Sequence, residues 1–366
     1  MTHVRHAPAF RVAAAKALPD ACFEPIRCSL LSLGADMKRR QFLSIVGGAA
    51  AAWPLAARAQ QGERVRRISL LISGAESDPE MQARVTAVRQ GLTRVGWSEG
   101  HNIQIDYRYA SASAERAQAF AKELVALKPE VIIAFGTFTA RALHRETTTV
   151  PIVFVGVADP IGDQFVTSLA RPGANLTGTL LNEPGIVGKW LAMLKEIAPR
   201  LERVAVLFNP KTSPYRRVYA ENAEDVARSL AIKIVPLEIG EADDILRGIS
   251  NFANSPNGGL MVPPDLTAVT NRDLVIGLAF QHRLPAVYQA RFWAIAGGLM
   301  SYGTDRIAAH RQIAYYVDHI LRGAKPSDLP VQAPTKYETT INLKTARAIG
   351  LAMPPGLLVA ADEVIE

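Results

Sequence analysis

From Ile68 onward, short β-forming runs alternate with longer stretches whose apolar positions recur every three or four residues. Ile68-Ser69-Leu70-Leu71-Ile72 reads as a strand. Met81, Val85, Val88 and Leu92 then share one helical face, and Gly96 is a stop. Ile103, Ile105, Tyr107 and Tyr109 alternate as a strand does. Ser113 is placed to cap a helix running to about Leu127, and Val131-Ile132-Ile133-Ala134-Phe135 reads as a strand buried on both faces. A helix around Arg141 to Glu146 and a strand at Ile152-Val153-Phe154-Val155 follow. This order, strand and helix in turn, predicts a parallel sheet with helices on both faces.

The pattern then restarts. Helices are predicted over Val187 to Ile197, Tyr219 to Leu230, Ile245 to Phe252 and Leu274 to Phe280. Strands are predicted at Val204 to Phe208, Ile232 to Leu237, Gly259 to Val262 and Pro285 to Tyr288. The change-over falls near Arg171-Pro172-Gly173-Ala174-Asn175, which is rich in turn formers. A long helix from about Asp305 carries Ile313, Val317, Ile320 and Leu321 on its apolar face and ends at Gly323. A last strand near Thr339 to Leu343 and a short helix read as the chain returning to complete both halves, not as a third domain.

The N-terminal region has another character. Met37-Lys38-Arg39-Arg40-Gln41-Phe42-Leu43, a mildly apolar run rich in Ala and Gly, and Ala57-Arg58-Ala59-Gln60 have the order of an export signal. The paired arginines followed by x-Phe-Leu are of the twin-arginine type, which a receptor reads. Phe42 to Ala57 is shorter than the ~20 apolar residues of a spanning helix, and Pro54 interrupts it. Cleavage is expected after Ala59, and residues 1–36 read as an over-long start to the chain. Residues 1–59 hold eight of the 41 Lys and Arg and three of the 34 Asp and Glu, leaving 33 basic and 31 acidic residues beyond them. The basic excess therefore belongs to the leader, which removes the case for a polyanion-binding protein. Both cysteines, Cys22 and Cys28, also precede the cut, so no disulfide, thiol nucleophile or thiolate metal site is expected beyond it.

Several segments together resemble ABC-transporter substrate-binding proteins with a type I periplasmic-binding fold, the group that includes tryptophan and aromatic amino-acid receptors. They are Phe135-Gly136-Thr137, Ala158-Asp159-Pro160-Ile161-Gly162, Asn175-Leu176-Thr177-Gly178 and Leu207-Phe208-Asn209-Pro210. Ala296 to Gly303, Ile320 to Pro326, Ile341 to Ala346 and Ile349-Gly350-Leu351 continue the likeness. The resemblance implies two Rossmann-like lobes, each a parallel sheet with helices on both faces, joined by three hinge crossings at 171–183, 296–303 and 324–335. It implies a first lobe of residues 64–178 with 303–325 and a second of residues 179–302 with 326–366. The chain departs from the aromatic receptors at Pro263-Pro264-Asp265-Leu266, where they tend to carry an Asp-Asn pair.

Ligands of open α/β sheets bind beyond the carboxyl ends of the strands. That rule and the resemblance select the same loops. Candidate ligand-binding residues are Ser73, Gly136, Thr137, Phe138 and Asp159 in the first lobe, and Asn209, Asp265 and Tyr288 in the second. Gly136-Thr137 opens a helix whose free N–H groups suit a carboxylate, and Asp159 or Asp265 would meet an ammonium group. Each position has a plainer explanation too. Thr137 and Asp265 are placed to cap helices, Asp159 and Asn209 precede prolines as turn residues do, and Phe138 and Tyr288 have the character of core.

Enzyme signatures are missing: there is no Gly-x-Gly-x-x-Gly after a strand, no phosphate loop, no Gly-x-Ser-x-Gly elbow and no His-Glu-x-x-His. The sequence thus reads as a periplasmic solute-binding component of an ABC importer, not an enzyme. Its expected ligand is a small zwitterion or carboxylate of amino-acid-like size. Its expected partners are permease and ATPase subunits at the inner membrane, with no cofactor, no metal and no nucleic acid, and it reads as a monomer. Two alternatives are a ligand sensor of the same fold serving a signalling receptor and a secreted α/β enzyme. A DNA-binding repressor of this fold would need a helix-turn-helix where the export signal stands.

Overall fold

The computed structural model describes residues 65–183, 185–211, 219 and 221–366. The export signal and its cleavage site lie outside the described residues.

The first sheet contains β1 (Arg66–Ile72), β2 (Ile103–Tyr109), β3 (Val131–Phe135), β4 (Ile152–Val157) and β5 (Leu176–Leu180), in the order β2-β1-β3-β4-β5. All pairs are parallel, which requires crossover helices. These are α1 (Pro79–Arg94), α2 (Ala114–Ala126) and α3 (Thr137–Glu146). The side-chain alternation of the strands sorts the core into two layers. Ile68, Leu70, Ile72, Val131 and Ile133 pack with Met81, Val85 and Val88 of α1. Leu71, Ile132 and Ala134 face the other way, onto Ala117, Ala121 and Leu124 of α2 and Ala140 and Leu143 of α3. Helix starts follow local chemistry. Asp78 accepts the Glu80 N–H at 2.9 Å with Pro79 in the first turn, and Ser113 accepts the Arg116 N–H at 3.1 Å.

The second sheet contains β6 (Arg203–Phe208), β7 (Lys233–Glu238), β8 (Gly258–Val262), β9 (Ala286–Tyr288), β10 (Met300–Thr304), β11 (Tyr337–Asn342) and β12 (Glu363–Ile365). Their order is β12-β11-β10-β9-β8-β6-β7. Only β10 and β11 pair antiparallel. Helices α4 (Ile186–Ile197) and α5 (Glu221–Ser229) contribute to one face; α6 (Ala242–Ala253) and α8 (Arg272–Gln281) cover the other, with α7 (Leu266–Thr270) leading into α8. Helix α9 (Arg291–Ile295) joins β9 to β10. The long α10 (Arg306–Leu321) then returns to the first sheet, where Ile313, Tyr316 and Val317 join the core beside α1. Helices α11 (Leu343–Ile349) and α12 (Pro355–Ala360) complete the second half.

The chain passes between the sheets three times: from β5 to α4, from β10 to α10, and from Gln332 to β11. Two of the segments expected to be crossings are partly strand. Residues 176–180 form β5, and 300–304 form β10. In both, turn-forming residues precede the strand (Pro172-Gly173 and Gly297-Gly298) and conceal its β-forming character in a window average.

Candidate functional site

The carboxyl ends of both sheets open onto one cleft. Strand β1 delivers Ser73, β3 delivers Gly136, Thr137 and Phe138, and β8 delivers Pro264 and Asp265. Gln289 follows β9, Thr304 ends β10 and Arg306 begins α10. The space not filled by protein, the open mouth included, is about 860 Å³. Met81, Phe135, Val155, Leu180, Leu181 and Val269 make much of the wall apolar.

The start of α3 is shaped for a guest. Gly136 has φ of 92°, and a Cβ built there would meet nothing within 4 Å. Among the described residues no side chain caps this helix. Its first N–H groups and positive dipole end therefore face the cleft. The Thr137 hydroxyl, read from sequence as a cap, instead accepts the Ala158 N–H at 3.4 Å and ties the loops after β3 and β4 together.

Two arginines border the cleft. Arg84, 7 % exposed, reaches across one turn of α1 so that its Nε and Nη2 donate to the same Glu80 oxygen at 3.1 and 3.0 Å. Arg306 donates to the Gln289 side-chain oxygen. His310, one turn further along α10, is buried edge-on against Phe135 with ring centroids 4.7 Å apart. Its Nδ1 lies 2.7 Å from the Arg306 carbonyl. A carbonyl only accepts, so Nδ1 carries the proton. Burial, reinforced by the charge of Arg84, holds the His310 ring well below its ordinary pKa and so uncharged.

The structure separates the candidate residues into two groups. Ser73, Gly136, Thr137, Phe138 and Asp265 line the cleft. Asp159, Asn209 and Tyr288 do not. Asp159 turns its own loop, accepting the Gly162 N–H at 2.8 Å. Asn209 is 6 % exposed, and its Nδ2 donates to Thr267 Oγ1 at 2.7 Å while its Oδ1 accepts the Lys211 N–H at 2.9 Å. Tyr288 is 1 % exposed and stacks on Trp293 with centroids 4.9 Å apart. Burial raises its phenol pKa. It is core, and not a platform for a ligand.

Asp265 lines the cleft as a brace. It is the N-cap of α7, with Oδ1 accepting the Ala268 N–H at 2.9 Å, and Oδ2 accepting the Asn209 N–H at 2.7 Å. The Thr267 N–H adds a third contact. Burial nevertheless outweighs these donors and raises its pKa. Arg84, Gln289, Arg306 and His310 escaped the sequence reading. Arg84 lies on the same helical face as Met81 and Val85, where periodicity marks only apolar positions. Gln289 is one residue past the position chosen on β9.

Comparison with known proteins agrees with this geometry. The profile of the family described as ABC transporter substrate binding protein matches residues 70–365. A tyrosine-binding protein of Clostridioides difficile is 24 % identical over 280 residues, covering 76 % of this chain and 80 % of that one. A conserved domain protein from Vibrio cholerae has a crystal structure that superposes with a TM-score of 0.75 at 28 % identity, covering 82 % of this chain and all of that one. An ABC domain from Streptococcus pneumonia, crystallised in complex with L-Trp, superposes at 0.76 with 22 % identity over 82 % of this chain and 99 % of that one.

Proposed function

Because the chain belongs to the ABC transporter substrate-binding protein family, we propose that it is an exported receptor that captures a small carboxylate-bearing solute for an ABC importer. The solute is a zwitterion or a simple acid of amino-acid-like size. It sits between the lobes and is passed to permease and ATPase subunits. The observation that carries this reading is the open start of α3 facing a cleft bordered by Arg84 and Arg306. An anion there meets the N–H donors of the helix start, its dipole and the two bordering arginines on a largely apolar wall. A curated relative is named for tyrosine and a structural neighbour holds L-Trp, which supports the size class of the solute. Closure of the lobes follows if the ligand touches both, because its differential affinity then favours the closed form.

The test is a thermal-shift screen of the purified protein over amino acids and small carboxylates, followed by small-angle scattering with the best hit. A rise in melting temperature with a smaller radius of gyration is expected. A ligand that binds without any change in radius would contradict closure. The export reading rests on Arg39 and Arg40. Replacing both by lysine should retain precursor in the cytoplasm, and undiminished periplasmic accumulation of that variant would refute twin-arginine dependence.

A further inference from the structure

The polar groups of the cleft are lopsided in charge. Among the described residues that line it, Asp265 is the one acidic side chain, and backbone N–H groups of Asn209, Ala268 and Thr267 engage its two oxygens. No carboxylate is therefore left over for a ligand ammonium. His310 supplies no negative charge either. Of the two arginines next to the ligand space, Arg84 is paired with Glu80, whereas Arg306 donates to the neutral Gln289 amide.

Gln289 adds an independent sign. It is 1 % exposed and lines the cleft from the second lobe. Arg306 has only hydrogens to offer, so the amide oxygen must be the atom facing it, and this fixes the orientation of the amide. The nitrogen, Nε2, is then a buried donor with no partner among the described residues. A buried amide N–H without an acceptor is costly, and native proteins rarely keep one without a use. The acceptor it asks for is an oxygen of the guest. Gln289 thus works from the second lobe as the α3 N-terminus works from the first: both offer hydrogens to an acceptor, and neither offers anything to an ammonium.

We infer that the cleft selects a hydrophobic organic acid that lacks the α-ammonium group, and discriminates against the corresponding amino acid. This rests on the receptor reading above and narrows its substrate class. A carboxylate would accept from Gln289 Nε2 and the α3 N–H groups beside the guanidinium of Arg306, while Arg84 stays paired with Glu80. An aryl or branched alkyl group would lie along Phe135, Phe138 and Val269. The ammonium of an amino acid would enter a space lined by the Arg306 cation, where the one lining carboxylate is already engaged by backbone N–H groups.

The experiment is calorimetric titration of the purified protein with matched series. One contains 3-phenylpropionate, 3-(4-hydroxyphenyl)propionate and indole-3-propionate. The others contain L-phenylalanine, L-tyrosine and L-tryptophan, the three corresponding amines, and neutral polyols. At least one acid should bind about tenfold or more tightly than its amino acid, the scale on which one unpaired buried polar group discriminates. Amino acids binding as well as or better than the acids would overturn this inference and leave the receptor reading standing. Binding confined to amines or polyols would overturn it together with the carboxylate reading of the receptor. Silence across every series would overturn both. Gln289→Glu is the second arm. It puts a carboxylate where the donor was and should lower the acid-to-amino-acid preference at least about tenfold, whereas Gln289→Met should weaken acids without improving amino acids. An unchanged preference in a Gln289→Glu protein that melts like the wild type would overturn the role of Gln289 and the inference with it.

Discussion

The indole N–H of Trp97 donates to Asp318 Oδ1 at 2.9 Å across 221 positions of sequence. Trp97 follows α1, and Asp318 lies on α10, which the chain reaches only after building most of the second sheet. The bond fastens the returning helix to the lobe it completes. Asp318 also accepts from Arg322 at 2.7 Å, but that arginine is 64 % exposed and only one turn away. Removing the half-buried Asp318 should matter more than removing the exposed arginine. Asp318→Ala is expected to cost about 1.5–3 kcal/mol, as for hydrogen bonds to charged groups. Arg322→Ala should cost about 0.5 kcal/mol or less. Urea unfolding of both variants checks the ordering, and equal losses would argue against it.

Asp265→Ala should act on the scaffold. It removes the cap of α7, costing about 1–2 kcal/mol, and leaves the buried Asn209 N–H without its acceptor, costing about 1–3 kcal/mol more. Asp265→Asn keeps one acceptor oxygen and should recover part of the loss. Chemical denaturation separates the variants. If Asp265→Ala unfolds like wild type but loses ligand, the residue is a contact and not a brace.

Gly303 is a sterically fixed position. A Cβ there would lie 1.8 Å from the Gln289 carbonyl oxygen, far inside contact distance. Gly303→Ala must push β10 away from the segment that carries Gln289. A loss of about 1–3 kcal/mol or more is expected from overpacking, together with weaker ligand binding in whatever fraction folds. Melting temperature and titration report the two effects. A variant that keeps both would show that the strand yields easily.

The buried ring of His310 makes stability depend on pH. Its folded pKa lies well below the ordinary value of 6.5. As pH falls below about 6.5 the unfolded chain takes up a proton that the native ring refuses, so stability is full above that value and declines toward the depressed folded pKa. Urea midpoints should therefore fall from about pH 7.5 to about pH 5.5, and fall less in His310→Asn, which keeps a donor near Nδ1 without titrating. Equal declines in the two proteins would show that the ring titrates normally.

The alternation of apolar runs made the two-sheet α/β architecture legible because strands buried on both faces are continuous in Val, Ile and Leu, as Val131 to Phe135 is. Strand β2 and the Ser113 cap follow the pattern residue for residue. Strands β5 and β10 were hidden because they are short and flanked by glycine and proline. The site was legible as loops but not as side chains. On β9 the period of two decides everything: Tyr288 turns into the core against Trp293, while Gln289 lines the cleft. Arg84 and Arg306 owe their place to helix packing across the sequence, which no local window contains.

The three connecting segments are laced to one another as well as to their sheets. The Leu180 N–H donates to the Gln332 carbonyl at 2.9 Å, and the Gln332 N–H donates to the Gly178 carbonyl at 3.0 Å. The Thr304 hydroxyl donates to the Leu181 carbonyl at 3.1 Å. Cords bound side by side at one level bend readily about the line that crosses them and resist wringing or sliding. If the two halves close on a solute as proposed, this lacing favours an angular motion about that line over a twist or a slide. Under the proposed receptor role, a membrane partner reading that angle would need no contact with the solute to register it.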